Sequence, residues 1–132
     1  MNLEERKSGF IQLGKTIDLL AKNTQWKDFS CGLTKQEYED ANFAILKSKS
    51  HNGWFTEDSV RKALAGISIL LDENNLNKWL SEYKIKENSE KSVAVIMAGN
   101  IPMVGFHDFL SVLISGNNIL AKLSSEDKIL MP

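Results

Sequence analysis

Apolar residues recur at helical spacing through the first two-thirds of the chain. Phe10, Leu13, Ile17 and Leu20 fall three and four residues apart, which predicts one helix face, with Asn23 and the polar residues after it as the stop. Thr34 followed by Glu37 has the spacing of a capping box, in which each side chain satisfies an orphan N–H of the other residue. Tyr38, Ala41 and Ile45 give the second stripe. Asn52-Gly53 signals a turn, and Thr56 with Glu57 and Asp58 is a favourable helix start. Val60, Leu64, Ile67 and Leu71 make the third stripe, and Leu76, Trp79, Leu80 and Tyr83 the fourth. All four stripes read first as core packing.

The pattern changes after the polar run KIKENSEK (84–91), a surface connection without Pro or Gly. Val93 to Met97 run apolar without alternation, as expected of a strand covered on both faces. An Ala-Gly-Asn turn follows, then a helix with Phe106, Phe109, Leu110, Leu113 and Ile114 on one face. Gly116 is placed to end that helix in a left-handed conformation, with Asn117 next, and Ile119 to Leu123 resume a strand. Ser92 to Leu123 is therefore one βαβ unit of about 32 residues, the length of a parallel crossover. The predicted class is α/β, with a helical region over 1–91 and the βαβ unit over 92–132.

Composition narrows the function little. The chain has 132 residues, the apolar and charged content of a soluble globular protein, and a formal net charge of -1. That balance gives no basic field for sequence-independent nucleic-acid binding. No run approaches the roughly 18 apolar residues of a membrane span, and the charged start lacks a signal core, so a cytoplasmic location is expected. The single cysteine, Cys31 in FSCGLT, rules out an intrachain disulfide. As a nucleophile it lacks a base, the nearest histidine in sequence being His51. His107 beside Asp108 and His51 in SKSHNG read as packing or surface residues, although His107 has a place on the helix after the turn.

In parallel sheets, ligands bind beyond the carboxyl ends of the strands. Those ends carry Ala98-Gly99-Asn100 and Lys122-Leu123-Ser124-Ser125. Small residues at 98 and 99 let a cofactor approach the backbone. Asn100 offers an amide N–H suited to an oxyanion, and Lys122 a cation for ribose hydroxyls or phosphate. A Gly-Asn turn and a strand-ending lysine are also common as plain structure. Neither GxGxxG nor GxxxxGK[ST] occurs, which removes the ordinary dinucleotide and P-loop readings.

The run VAVIMAGNIP, a helix ending SGN, and NILAKLSS together resemble the aldehyde dehydrogenase superfamily, with its Pro-Trp-Asn-Phe-Pro-like turn and Lys-Pro-Ser-Glu strand end. The Gly-Asn-Ile-Pro form of the turn is most similar to acyl-CoA reductases, a family that includes the fatty acyl reductases of bacterial bioluminescence. The likeness covers residues 92 to 126. It implies the start of a Rossmann-like nicotinamide domain, with Asn100 as oxyanion donor to a thioester carbonyl. Ala98 and Gly99 would line the cofactor through their backbone. Lys122 would contact the adenosine ribose or its 2′-phosphate, with Ser124 beside it.

Gly99 stands where the superfamily has tryptophan and Leu123 where it has proline. Ser125 replaces the glutamate of many NAD-preferring members, removing a carboxylate that repels a 2′-phosphate, so NADP is the expected cofactor, with NAD possible and Glu126 an alternative carboxylate. The family's nucleophilic cysteine, which carries the thioacyl intermediate, comes from a later domain, and Cys31 precedes the cofactor unit. The chain thus reads as the N-terminal part of an acyl-CoA reductase acting on a fatty acyl thioester, inactive alone. Two other readings stand beside it: a relative acting on acyl phosphate or aldehyde, and a non-catalytic helical interaction module. In the last of these, unpaired strand edges would favour a homo-oligomer.

Overall fold

The computed structural model describes residues 1–85 and 91–132. Among these, five helices and a two-stranded parallel sheet follow in the order α1 (Leu3–Ala21), α2 (Lys35–His51), α3 (Glu57–Leu70), α4 (Glu73–Leu80), β1 (Ser92–Ile96), α5 (Phe106–Ile114) and β2 (Asn118–Lys122). The connection expected over 84–91 lies largely outside the described residues. No described helix is long and apolar enough to cross a membrane.

Local hydrogen bonding sets the helix ends. Thr34 and Glu37 close the expected capping box: the Glu37 carboxylate accepts from the Thr34 N–H at 2.7 Å, and Thr34 Oγ1 accepts from the Glu37 N–H at 3.3 Å. Asn2 and Glu5 form a second such box on α1, which the stripe pattern did not signal. Thr56 caps α3 by accepting from Ser59 N, and Asp72 caps α4. Two helices stop in the same way. Asn23 (φ 50) and Gly116 (φ +81) adopt the left-handed conformation after α1 and α5. In each case the next residue's N–H reaches back five positions, Thr24 to Leu19 O and Asn117 to Val112 O. The fourth stripe ends at Leu80; Tyr83 lies beyond α4, exposed, with its ring edge-on to Trp79.

One hydrophobic cluster joins the two regions. Phe10, Ile17 and Leu20 of α1 share it with Val60, Leu64 and Ile67 of α3 and with Phe106, Leu110 and Ile114 of α5. The approach of α1 to α3 is close: a Cβ on Gly14 would lie 2.7 Å from Leu71 Cβ. The connection from α1 to α2 packs through Trp26, Phe29 and Tyr38, whose hydroxyl lies within hydrogen-bonding distance of the Leu19 and Thr24 carbonyls. Cys31 is buried there, its carbonyl accepting from the Thr16 hydroxyl at 2.7 Å.

The strands pair in register from Ser92↔Asn118 to Ile96↔Lys122. Bonds from Asn118 N to Lys91 O and from Met97 N to Lys122 O extend the ladder at both ends. The expectation that β1 is covered on both faces does not hold. Val93 and Val95 are half-buried, while Ala94 and Ile96 are exposed, Ile96 at 80 %. Leu120 opposite Ala94 is 63 % exposed. With α5 packed against the sheet and only two strands formed, one face stays open. The class is α/β in this limited sense, and a larger Rossmann-like sheet is not formed by the described residues.

Candidate functional site at the strand ends

Parallel pairing places the carboxyl ends of β1 and β2 side by side, so the turns 98–105 and 123–130 start next to each other. They touch. A Cβ on Gly99 would lie 2.5 Å from Ser124 Cβ, closer still to Ser124 Oγ, and 3.2 Å from Asp127 N. Gly99 is buried and its φ is not in the left-handed region, so what the glycine supplies is room for Ser124. Small size at 99 was expected to serve a ligand; the Cα face it leaves open is filled by the neighbouring turn. At the far end of the first turn, a Cβ on Gly105 would fall 2.8 Å from Met97 Sδ, which closes the turn back on its own strand.

The second turn is built on two buried side chains: Asp127, absent from the sequence reading, and Asn52, read there only as a turn residue. Asp127 is 3 % exposed, and its Oδ1 accepts from Leu130 N at 2.9 Å and Ile129 N at 3.4 Å. Its Oδ2 is buried without a hydrogen-bond partner. Ser124 Oγ accepts from Glu126 N at 3.1 Å. Asn52 is buried after α2, accepts from Trp54 N at 3.0 Å, and donates Nδ2–H to Glu126 O at 3.2 Å. The Asn-Gly signal announced a turn; that its Asn clamps a segment 74 residues later is not readable from spacing. Asp127 did have a local signal, since an aspartate in a polar turn accepts from N–H groups two and three residues on, as its Oδ1 does here.

On this frame Ala98, Asn100, Lys122 and Ser125 are exposed, and Ser124 is half-buried. They make an exposed ledge at the two strand ends, with the Asn100 amide on the first turn and Lys122 as the last residue of β2. Several cavities lie elsewhere among the described residues. One of about 490 Å³ is lined by Trp79, Tyr83 and His107, with the His107 ring 5.5 Å from that of Trp79. His107 therefore packs against α4, and His51 ends α2 in an exposed position. Cys31 lines a separate groove between α1 and α3 with Gly14 and Leu71. No group of three potential metal ligands occurs among the described residues.

The donor set suits a nicotinamide dinucleotide in kind, with Lys122 and Ser125 available to ribose or phosphate and Asn100 to a carbonyl oxygen. The orphaned Asp127 Oδ2 adds a buried acceptor at the base of the same turn. No protein-family model matches the chain, and no curated protein or solved structure matches it.

Proposed function

We propose that the β1–α5–β2 unit is the cofactor-side half of an acyl-CoA reductase site, working with NADPH, or NADH, on an acyl thioester. The supporting observation is the Gly99–Ser124 contact, which joins the two strand-end turns into one ledge bearing Asn100 and Lys122. The resemblance of residues 92 to 126 to that family supplies the chemistry.

In this reading Lys122 and Ser125 hold the adenosine end, Ala98 offers backbone along the cofactor, and Gly99 makes room for Ser124, which fixes the turn. Asn100 donates to the thioester oxygen as negative charge develops there, an interaction typically worth about 3–4 kcal/mol. The acyl group would pass from CoA, released as its thiol, to a cysteine thiolate other than Cys31. A bound nicotinamide would supply the hydride that replaces the carbon–sulfur bond and frees the aldehyde and the thiolate. Cys31 is buried against α1 and takes no part, so the 132-residue chain alone reduces no thioester.

The test is titration of the full chain with NADPH and NADH, followed by ligand-observed NMR, alongside Lys122→Ala. Binding of NADPH that falls at least tenfold in the variant is expected. No binding of either cofactor at millimolar concentration, or equal binding by the variant, removes the reading. A superfamily relative acting on acyl phosphate or free aldehyde would use the same ledge. A non-catalytic interaction module is favoured by a different observation, the open sheet face with Ile96 and Leu120. Under it, Lys122→Ala and Asn100→Ala leave partner binding intact.

A further inference from the structure

The turn between α2 and α3 carries the most exposed Trp, Tyr or Phe among the described residues, Trp54 at 83 %. Tryptophan is largely buried in most proteins, because its rings carry so much apolar area. Here the backbone around it is fixed while the indole stays in water. Trp54 N–H donates to Asn52 Oδ1 and its carbonyl accepts from Ser59 Oγ, both at 3.0 Å. The next residue, Phe55, is 2 % exposed, with its N–H on Asn52 O at 2.9 Å and its carbonyl accepting from the buried Ser48 hydroxyl at 3.1 Å. The indole is thus presented from a tightly built turn.

That turn is fastened to the strand-end ledge. The Asn52 side chain that accepts from Trp54 N also donates to Glu126 O at 3.2 Å. Two hydrogen bonds and one amide group span at most about 8–9 Å, a gap that an indole can bridge. Ser125 precedes Glu126, and Lys122 lies at the end of β2 before it, both exposed. Where Lys122 and Ser125 hold a ribose and its phosphate, the planar base on that ribose is the group still without a partner. An exposed aromatic face is the natural surface for it, since every base has a π-face to stack.

We infer that Trp54 is the stacking platform for the adenine ring of a phosphorylated adenosine seated on the second strand-end turn. The inference rests on the proposed roles of Lys122 and Ser125. The Asn52 clamp then has a purpose besides stability, holding the aromatic platform and the ledge in one geometry. NADPH and coenzyme A both carry such a head and differ in which ribose hydroxyl is phosphorylated, so either can supply the ring.

The experiment uses the full chain with 2′,5′-ADP and 3′,5′-ADP as probes, the adenosine heads of NADPH and of coenzyme A, and ribose 5-phosphate as the comparison without a base. Binding is read by calorimetry and by the three indole N–H resonances, one for each tryptophan. At least one head should bind tenfold more tightly than ribose 5-phosphate and shift the resonance that Trp54→Ala removes; which head binds names the source. Trp54→Ala should weaken it about ten- to hundredfold, the range of base–aromatic stacking, and Trp54→Tyr by less than about threefold. Both variants should keep the parent's Tm, because the side chain is 83 % exposed. Lys122→Ala separates this inference from the roles it rests on. Weakening by Lys122→Ala with none by Trp54→Ala overturns the stacking and leaves the ledge. Weakening by Trp54→Ala with none by Lys122→Ala keeps the platform and removes Lys122 from it. No binding of either head, or ribose 5-phosphate binding as tightly, overturns the inference.

Discussion

Replacing Gly99 by alanine tests the contact on which the strand-end ledge depends. The backbone at 99 does not lie in the left-handed region, so alanine carries no conformational penalty there, and the cost is steric. The new methyl would sit 2.5 Å from Ser124 Cβ, about 1 Å inside ordinary contact, and 3.2 Å from Asp127 N. Ser124 can swing away only by giving up its bond from Glu126 N. Overpacking of this kind costs about 1–3 kcal/mol. Ser124→Gly alone loses the same bond, about 1 kcal/mol. In the double variant most of the clash is gone, so its cost should fall short of the sum by about 1–2 kcal/mol. Urea unfolding followed by tryptophan fluorescence measures all four corners, with unchanged m-values required for comparison. Gly66→Ala is the control: it lies within α3 with nothing near its Cβ and should stabilise by roughly 0.5–1 kcal/mol. Additivity of the two strand-end changes within about 0.5 kcal/mol would refute the contact.

Asn52→Ala removes the bonds to Glu126 O and from Trp54 N. A loss of about 1–3 kcal/mol is expected, near 4 °C in Tm per kcal/mol for a chain of this size, and differential scanning calorimetry reads it. Glu37 is fully exposed, yet the N–H of Thr34, and then its hydroxyl, hold its carboxyl below the usual 4.5. A carboxyl lowered on folding stabilises fully above its unfolded value and ceases to as pH falls through the folded one. Glu37→Gln should therefore flatten part of the stability loss below pH 4.5, and an acid limb identical to the parent's would count against the capping box.

Most features that depend on neighbours within five residues were legible in the sequence, the Asn2–Glu5 box and the Asp72 cap being missed because no apolar stripe marks where those helices begin. Thr34 with Glu37, Thr56, Asn23 and Gly116 each start or stop a helix by bonding within a turn, so residue type and spacing suffice. The α5 face was legible too, because Phe106, Leu110 and Ile114 follow the period of a helix with one covered side. What failed depends on distant partners. The run Val93 to Met97 predicts a doubly covered strand only if helices pack on both faces, and no local pattern counts helices. Gly99 carried the right residue with another purpose, since Ser124 lies 25 positions on and adjacent only through the parallel register. Asp127 was passed over and Asn52 read only as a turn for the same reason: polar residues next to turns look exposed until the fold buries them.

The Arg6–Ile114 bond spans 108 residues, and the face of α1 that it secures is covered by α5. Loop-closure entropy grows slowly with such a span, but long separations slow the search for native contacts. At a synthesis rate of about 5–20 residues per second, Ile114 follows Arg6 by roughly 5–20 s. Helices α1, α2 and α3 can associate in that interval, whereas β1 and β2, 26 residues apart at Ser92 and Asn118, can pair only once both exist. The order in which the chain is made thus leaves Phe10 waiting for Phe106, Leu110 and Ile114, and the clasp between the first helix and the fifth closes on a face that α3 already shares.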